Sequence, residues 1–120
     1  MKTILLVIGK IGTRLVCEEL LKSHDVIATS DANEAIKRLD DFDLKRRGVD
    51  LIIAGYEAGS MTGVDFVERV RARKGKMFLP VLALSRADYK EAFKKAGANS
   101  WLKAPFSKEA FQTVVGKYVG

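Results

Sequence analysis

Five short runs of mostly branched apolar residues recur along the 120-residue chain: Ile4–Ile8, Val26–Thr29, Leu51–Ala54, Val81–Leu84 and Ser100–Leu102. Amphipathic stretches separate them, and this alternation constrains the fold more than any other feature. Each run has strand length, and the clearest of them lack the in–out polar alternation of a half-exposed sheet. That pattern predicts strands buried on both faces. Between the runs, Leu15, Val16, Leu20 and Leu21 are expected on the buried face of a first helix, and Ala32, Ala35, Ile36, Leu39 and Phe42 on that of a second. Val64, Val67 and Val70 mark a third, Ala92, Phe93 and Ala96 a fourth, and Phe111, Val114, Val115 and Tyr118 a fifth. Gly48 precedes the third run, Gly97 is placed to close the fourth helix, and Ser107 is placed to cap the fifth. Strands and helices in strict alternation predict an α/β fold with a parallel sheet covered by helices on both sides.

The length suits one domain spanning 1–120, large enough to bury its own core. With 48% apolar and 30% charged residues the composition is that of a globular protein, and no apolar run reaches the roughly 18 residues of a membrane span. Met1 to Ile8 combines a lysine with an apolar stretch, but no small-residue cleavage site follows. It reads as a buried first strand, with a cytoplasmic location expected. The single cysteine, Cys17, excludes an internal disulfide and a cysteine-rich metal site, and is expected to pack on a helix. Net charge is +6, yet the densest cationic cluster, Lys45-Arg46-Arg47, lacks the interleaved aromatics of a nucleic-acid surface and reads as a solvated helix end.

The second half adds specific motifs: Asp50-Leu-Ile-Ile-Ala-Gly55, Met61-Thr-Gly63, Pro80-Val-Leu-Ala-Leu-Ser85, Ala96-Gly-Ala-Asn-Ser100 and Pro105-Phe106. Their order and spacing resemble the receiver domain of bacterial two-component response regulators, over essentially the whole chain. The resemblance implies a flavodoxin-like (βα)5 three-layer sandwich with strand order 2-1-3-4-5. In open sheets of this kind ligands meet the carboxyl ends of the strands, here residues 8–12, 55–60, 85–87 and 103–105. The family phosphorylates an aspartate at the end of the third strand, and the matching residue here is Gly55. Its metal-holding acidic pair falls at Ile8 and Gly9, and its lysine at Ala104; Glu57 stands where the family offers a backbone carbonyl to the metal. Ser85 matches the switch hydroxyl, Trp101 the aromatic coupled to it, and Pro105 the residue after a cis bond. Ser85 is also placed to cap the loop into the fourth helix. Mg²⁺ needs oxygen ligands that Ile8 and Gly9 lack, so neither a metal nor a cofactor is expected. The implied reading is a pseudo-receiver acting through protein contact independent of phosphate. Its partner face would be the fourth helix, fifth strand and fifth helix, carrying Tyr89, Lys90, Lys94, Trp101, Lys103 and Lys108.

Other readings of the same rim stay open. Gly9, Gly55, Ala58, Gly59 and Ala104 put five small residues around it, as in a natural domain that dropped phosphorylation or an engineered receiver scaffold hollowed for a ligand. Gly12, Ala58 and Gly59 are then pocket candidates. Lys10, if desolvated by Ile8 and Ile11, could form Schiff bases with carbonyl substrates as a retro-aldolase-type amine catalyst, and Glu57 could act as a base. Gly9 to Gly12, with Asp31 about 20 residues on, also partly resembles a dinucleotide- or anion-binding turn, although Val7 occupies the place of its first glycine. His24 lies seven residues after Cys17, about 10 Å along a helix and too far for a catalytic pair. It is expected to meet the last carbonyls of the first helix.

Overall fold

The computed structural model describes residues 2–73, 75–76 and 78–120. In chain order its elements are β1 Thr3–Val7, α1 Ile11–Leu20, β2 Asp25–Thr29, α2 Ala32–Leu44, β3 Leu51–Gly55 and a two-residue hairpin, β4 Glu57–Ala58 with β5 Met61–Thr62. There follow α3 Gly63–Ala72, β6 Val81–Ser85, α4 Lys90–Ala96, β7 Ser100–Lys103 and α5 Lys108–Val119. The main sheet is parallel throughout and runs β2-β1-β3-β6-β7, which is 2-1-3-4-5 once the hairpin is left out. The fold is flavodoxin-like. The hairpin, not among the elements expected from the sequence, pairs Glu57 with Thr62 and Ala58 with Met61.

Successive residues of a strand face opposite sides, so each central strand feeds two cores. Leu5, Val7 and Ile52 pack with Leu39 of α2, Phe66 of α3 and Phe93 of α4. Ile4, Leu6 and Ile53 pack with Cys17 of α1, Leu21 just past its end and Phe111 of α5. This double burial is why the central strands read as unbroken apolar runs.

One helix face differs from the expectation. On α1 the buried side chain is Cys17, followed by Leu21 just past the helix end, while Leu15 and Val16 are 55% and 53% exposed. At 100° per residue, Leu15 sits about 200° from Cys17, on the opposite flank. The expected stripe counted apolar residues and passed over the cysteine, which was the true marker of the inner face.

Helix ends follow local chemistry. The side chains of Asp31, Thr62 and Ser107 accept from the N–H groups of Glu34, Asp65 and Ala110, capping α2, α3 and α5. Gly97 closes α4 in the left-handed region, φ 115°. Below the sheet's amino edge, Arg71 of α3 clamps the neighbouring loops. Its Nε donates to the Gly97 carbonyl (2.9 Å), Nη1 to those of Lys76 (2.7 Å) and Leu79 (2.6 Å), and Nη2 to Asn99 Oδ1 (2.8 Å). Asn99 Oδ1 in turn accepts from Val81 N (2.8 Å), fixing the start of β6. Two residues of the basic cluster have local partners. Lys45 pairs with Asp41 (3.2 Å), and Arg47 reaches Asp25 (3.7 Å) with its guanidinium 4.6 Å from the Phe42 ring centre.

Candidate functional site

At the carboxyl ends of the strands, Ile8, Gly55, Leu84 and Ala104 border a hollow of about 280 Å³, with Tyr56 and Tyr89 also lining it. β1, β3 and β6 supply these positions because each ends at the same rim, where the backbone passes into a loop. Gly55 is buried, and a Cβ added there would lie 3.4–3.7 Å from the Ile8 side chain. Ile8 itself is 2% exposed, so the apolar residue occupies the ground beside the missing side chain.

Gly9 is set by a close approach. Its N–H donates to the Glu57 carbonyl at 2.7 Å, and a Cβ at Gly9 would fall 2.9 Å from that same oxygen. The carbonyl expected to face a metal is therefore held by backbone, and an acidic side chain at position 9 collides with it. The residues present do not fit a Mg²⁺ site of the receiver type. Ile8, Gly9 and Gly55 carry no side-chain oxygen, and Glu57 is the single carboxylate among the described residues lining the hollow. Among the described residues no group of three or more His, Cys, Asp or Glu is arranged to hold a metal.

Ser85 is 6% exposed and fully engaged. Its Oγ donates to the Ala87 carbonyl (2.7 Å) and accepts from Trp101 Nε1 (2.8 Å). The expected cap on the fourth helix is corrected here: α4 has Tyr89 at its N-cap position, with no side-chain cap, and Ser85 instead ties its own loop to β7. Pro105 does follow a cis bond.

Lys10 borders the hollow but is exposed, so it lacks the enclosing apolar surroundings on which the Schiff-base reading depended. Glu57 is exposed as well. Neither Ala58 nor Gly59, two of the pocket candidates, lines the hollow. Ala58 is buried in the core, and Gly59 (φ 71°) presses its Cα against Asp31, where a Cβ would lie 2.3 Å from Oδ1. Gly12 lies inside α1 and borders a second, adjoining hollow of about 540 Å³ with Ile11, Val16 and Phe106.

The dinucleotide reading loses its key carboxylate. Asp31 Oδ1 accepts from Ser60 N (2.7 Å) and Oδ2 from Glu34 N (3.2 Å), so both oxygens serve the fold. The bond from Ser60 N–H, chiefly, holds this carboxyl below the usual aspartate range. The Gly9 N–H that would meet a phosphate is the one given to Glu57. Cys17 is fully buried and its thiol is pushed up to about 12 by that burial, consistent with a packing role. His24 meets the end of the first helix through its backbone, its N–H donating to the Leu21 carbonyl (2.9 Å), while its ring Nδ1 is buried without a hydrogen-bond partner.

On the expected partner face, Lys90, Lys94, Lys103 and Lys108 are exposed. Tyr89 and Trp101 are half-buried and engaged inward. Tyr89 stacks on Tyr56 with ring centres 3.8 Å apart and planes 7° apart, and Phe93 meets Tyr56 edge-on at 6.5 Å. Sequence reasoning missed this aromatic wall. Its only trace was a tyrosine just after β3 and another just before α4.

No protein-family model matches the chain. Solved structures do. The chemotaxis response regulator CheY4 of Vibrio cholerae superposes with a TM-score of 0.84 at 27% identity, covering 98% of each chain. The chain has the receiver-domain fold. The receiver domain of a sensor histidine kinase from Pseudomonas aeruginosa, which carries a magnesium ion in its active-site cleft, matches at 0.83 and 23% identity over 99% of this chain and 98% of its own. A receiver-domain protein from Methanospirillum hungatei matches at 0.83 and 16% over 98% and 92%. The last two likenesses speak for the fold alone. As a receiver fold, the chain places Gly55 and Ile8 at the strand ends where ligands of open α/β sheets meet the backbone.

Proposed function

We propose that this chain is a receiver-type signalling and interaction domain that works without accepting a phosphoryl group. The observation that carries the reading is Gly55, buried at the end of β3, with the Ile8 side chain lying against it. An acyl phosphate needs a carboxylate there, and a metal ion that would neutralise the transferring group needs oxygen ligands; Ile8, Gly9 and Gly55 carry no side-chain oxygen. The protein would then act through contact, with the exposed lysines of α4, β7 and α5 favouring a partner of negative charge. A cytoplasmic location goes with this role; no described helix is long and apolar enough to cross a membrane.

The test is incubation with acetyl phosphate and Mg²⁺, followed by intact-mass and peptide mass spectrometry. The unmodified mass is expected. A phosphorylated rim carboxylate would overturn the reading.

A second reading, that the rim is a small-molecule site of a hollowed receiver scaffold, is favoured by the hollow of about 280 Å³ between Ile8, Leu84, Ala104 and the stacked tyrosines. Its size lies near the lower end of ligand pockets, which begin at about 300 Å³. The exposed position of Lys10 speaks for binding rather than amine catalysis within that site. Reduction with borohydride in the presence of an aromatic aldehyde is expected to label exposed lysines without preference. Selective labelling of Lys10 would restore the catalytic version.

A further inference from the structure

The inner end of the hollow is apolar: Ile8 and Leu84 are each 2% exposed, and Gly55 and Ala104 add no polar side-chain atom. One wall is the stacked Tyr56–Tyr89 pair, which offers a flat aromatic surface and phenol edges. The Ser85 hydroxyl and the Gly9 N–H near the inner end are already committed. Ser85 Oγ gives its proton to Ala87 and receives that of Trp101, and the Gly9 N–H is bonded to Glu57. A compact, strongly hydrated anion such as phosphate would lose water against the Ile8 and Leu84 side chains, while an apolar body would gain from the same contact.

The outer edge is different. Lys10 and Arg86 are both exposed and border both hollows, as do Thr13 and Ala104, so the two cations stand on the divide between the two spaces. Glu57 is the opposing charge on the same edge, which leaves one net positive charge from these three groups. Apolar depth with a cationic lip selects a molecule with matching halves.

We propose that the rim hollow binds a small amphipathic organic anion, an aromatic or branched-chain carboxylate, with its apolar body between Ile8, Leu84 and Tyr56 and its carboxylate at Lys10 and Arg86. The planar guanidinium of Arg86 suits a carboxylate through paired hydrogen bonds, while Lys10 adds a mobile point charge. The volume limits the body to one or two rings. This rests on the second reading above, that the hollow is a ligand site, and adds the chemical class of the ligand.

The probe is 1-naphthoate, titrated into the ¹⁵N-labelled chain and followed by amide chemical shifts, with 1-naphthamide and inorganic phosphate as companions. Saturable shifts at the backbone of residues 8–13, 55–57 and 84–89 are expected for naphthoate, with binding at least about tenfold weaker for the amide. Arg86→Gln combined with Lys10→Gln should weaken naphthoate about tenfold and leave the amide unchanged. Raised salt should weaken naphthoate alone, as screening predicts. Gly55→Val, whose first carbon meets Ile8 at ordinary contact distance, should fill the hollow and abolish both, with the spectrum reporting that the fold persists. Equal binding of amide and naphthoate, indifferent to the double substitution, would overturn the anion assignment and keep the hollow as a ligand site. Silence from both would overturn the hollow reading as well. Phosphate binding as tightly as naphthoate at the same amides would refute the amphipathic match.

Discussion

Replacing Ser85 by alanine removes one oxygen and breaks two hydrogen bonds, those to the Ala87 carbonyl at 2.7 Å and from Trp101 Nε1 at 2.8 Å. Each neutral hydrogen bond contributes a net 0.5–1.5 kcal/mol or about 1 on average, so the pair sums to about 2 kcal/mol. Ser85 is 6% exposed, which keeps water from replacing its hydroxyl; Trp101 is half-buried, so its freed indole N–H recovers part of the loss by hydration. A destabilisation of about 1–2 kcal/mol is expected. For a chain of this size that lowers the melting temperature by about 3–8 °C. The assay has a built-in reporter, because Trp101 is the only tryptophan. Thermal melts followed by circular dichroism give the stability, and the emission of Trp101 should shift to longer wavelength as its N–H turns to solvent. Ser85→Thr keeps the hydroxyl and should retain most of both signals. An alanine variant with unchanged melting temperature and unchanged emission would refute the argument that this hydroxyl ties the rim loop to β7.

The remaining expectations concern the rest of the molecule. Arg71→Met strips four bonds from a half-buried guanidinium and should cost more than about 3 kcal/mol in urea unfolding, with Arg71→Lys giving little rescue because an ammonium cannot span four acceptors. The Asp31 carboxyl is depressed by the Ser60 N–H, and Asp43 by hydrogen bonds from Lys76 and Arg73. A depressed carboxyl stabilises the fold above the unfolded-state value near 3.9 and loses that contribution as pH falls through the lower folded value. Stability should therefore decline on acidification below about pH 4, and less steeply in Asp31→Asn, as equilibrium unfolding across that range would measure. Cys17, buried with its thiol pushed up to about 12, should resist a disulfide reagent at pH 8 in the native protein and react only at the rate of unfolding; fast labelling would show that α1 opens locally.

How far the sequence carries depends on the range of the interactions involved. The strands were legible because burial on both faces writes itself into consecutive residues, as in Leu51–Ala54 and Val81–Leu84. Gly97 and Ser107 were legible because a helix end is satisfied within a few residues. What depends on distant partners was not. Asp31 reads as a ribose-binding carboxylate until Ser60, 29 residues away, is seen on its oxygen. Arg71 stands out by no local pattern, although it binds groups as far as 28 residues along the chain. The Tyr56–Tyr89 wall joins two loops that no local period connects. The content of the rim could be foreseen because it turns on which side chains are absent, whereas its shape required knowing where Ile8 and the Glu57 carbonyl lie.

The contact between Ile8 and Gly55, and the one between Gly9 and the Glu57 carbonyl, also act as a ratchet on any mutational path. A single Gly55→Asp change puts a carboxylate into a buried position whose nearest neighbour is a branched hydrocarbon, with Lys10 and Arg86 out on the exposed edge of the hollow. A single substitution of Gly9 meets backbone oxygen before its side chain has gained anything to hold. Each single step toward a carboxylate-lined rim is thus a loss until several others accompany it, so selection acting one residue at a time would keep the chain where it stands. Building an acidic, metal-holding rim on this fold would take a coordinated redesign of the loop after β1, the end of β3 and the hairpin together.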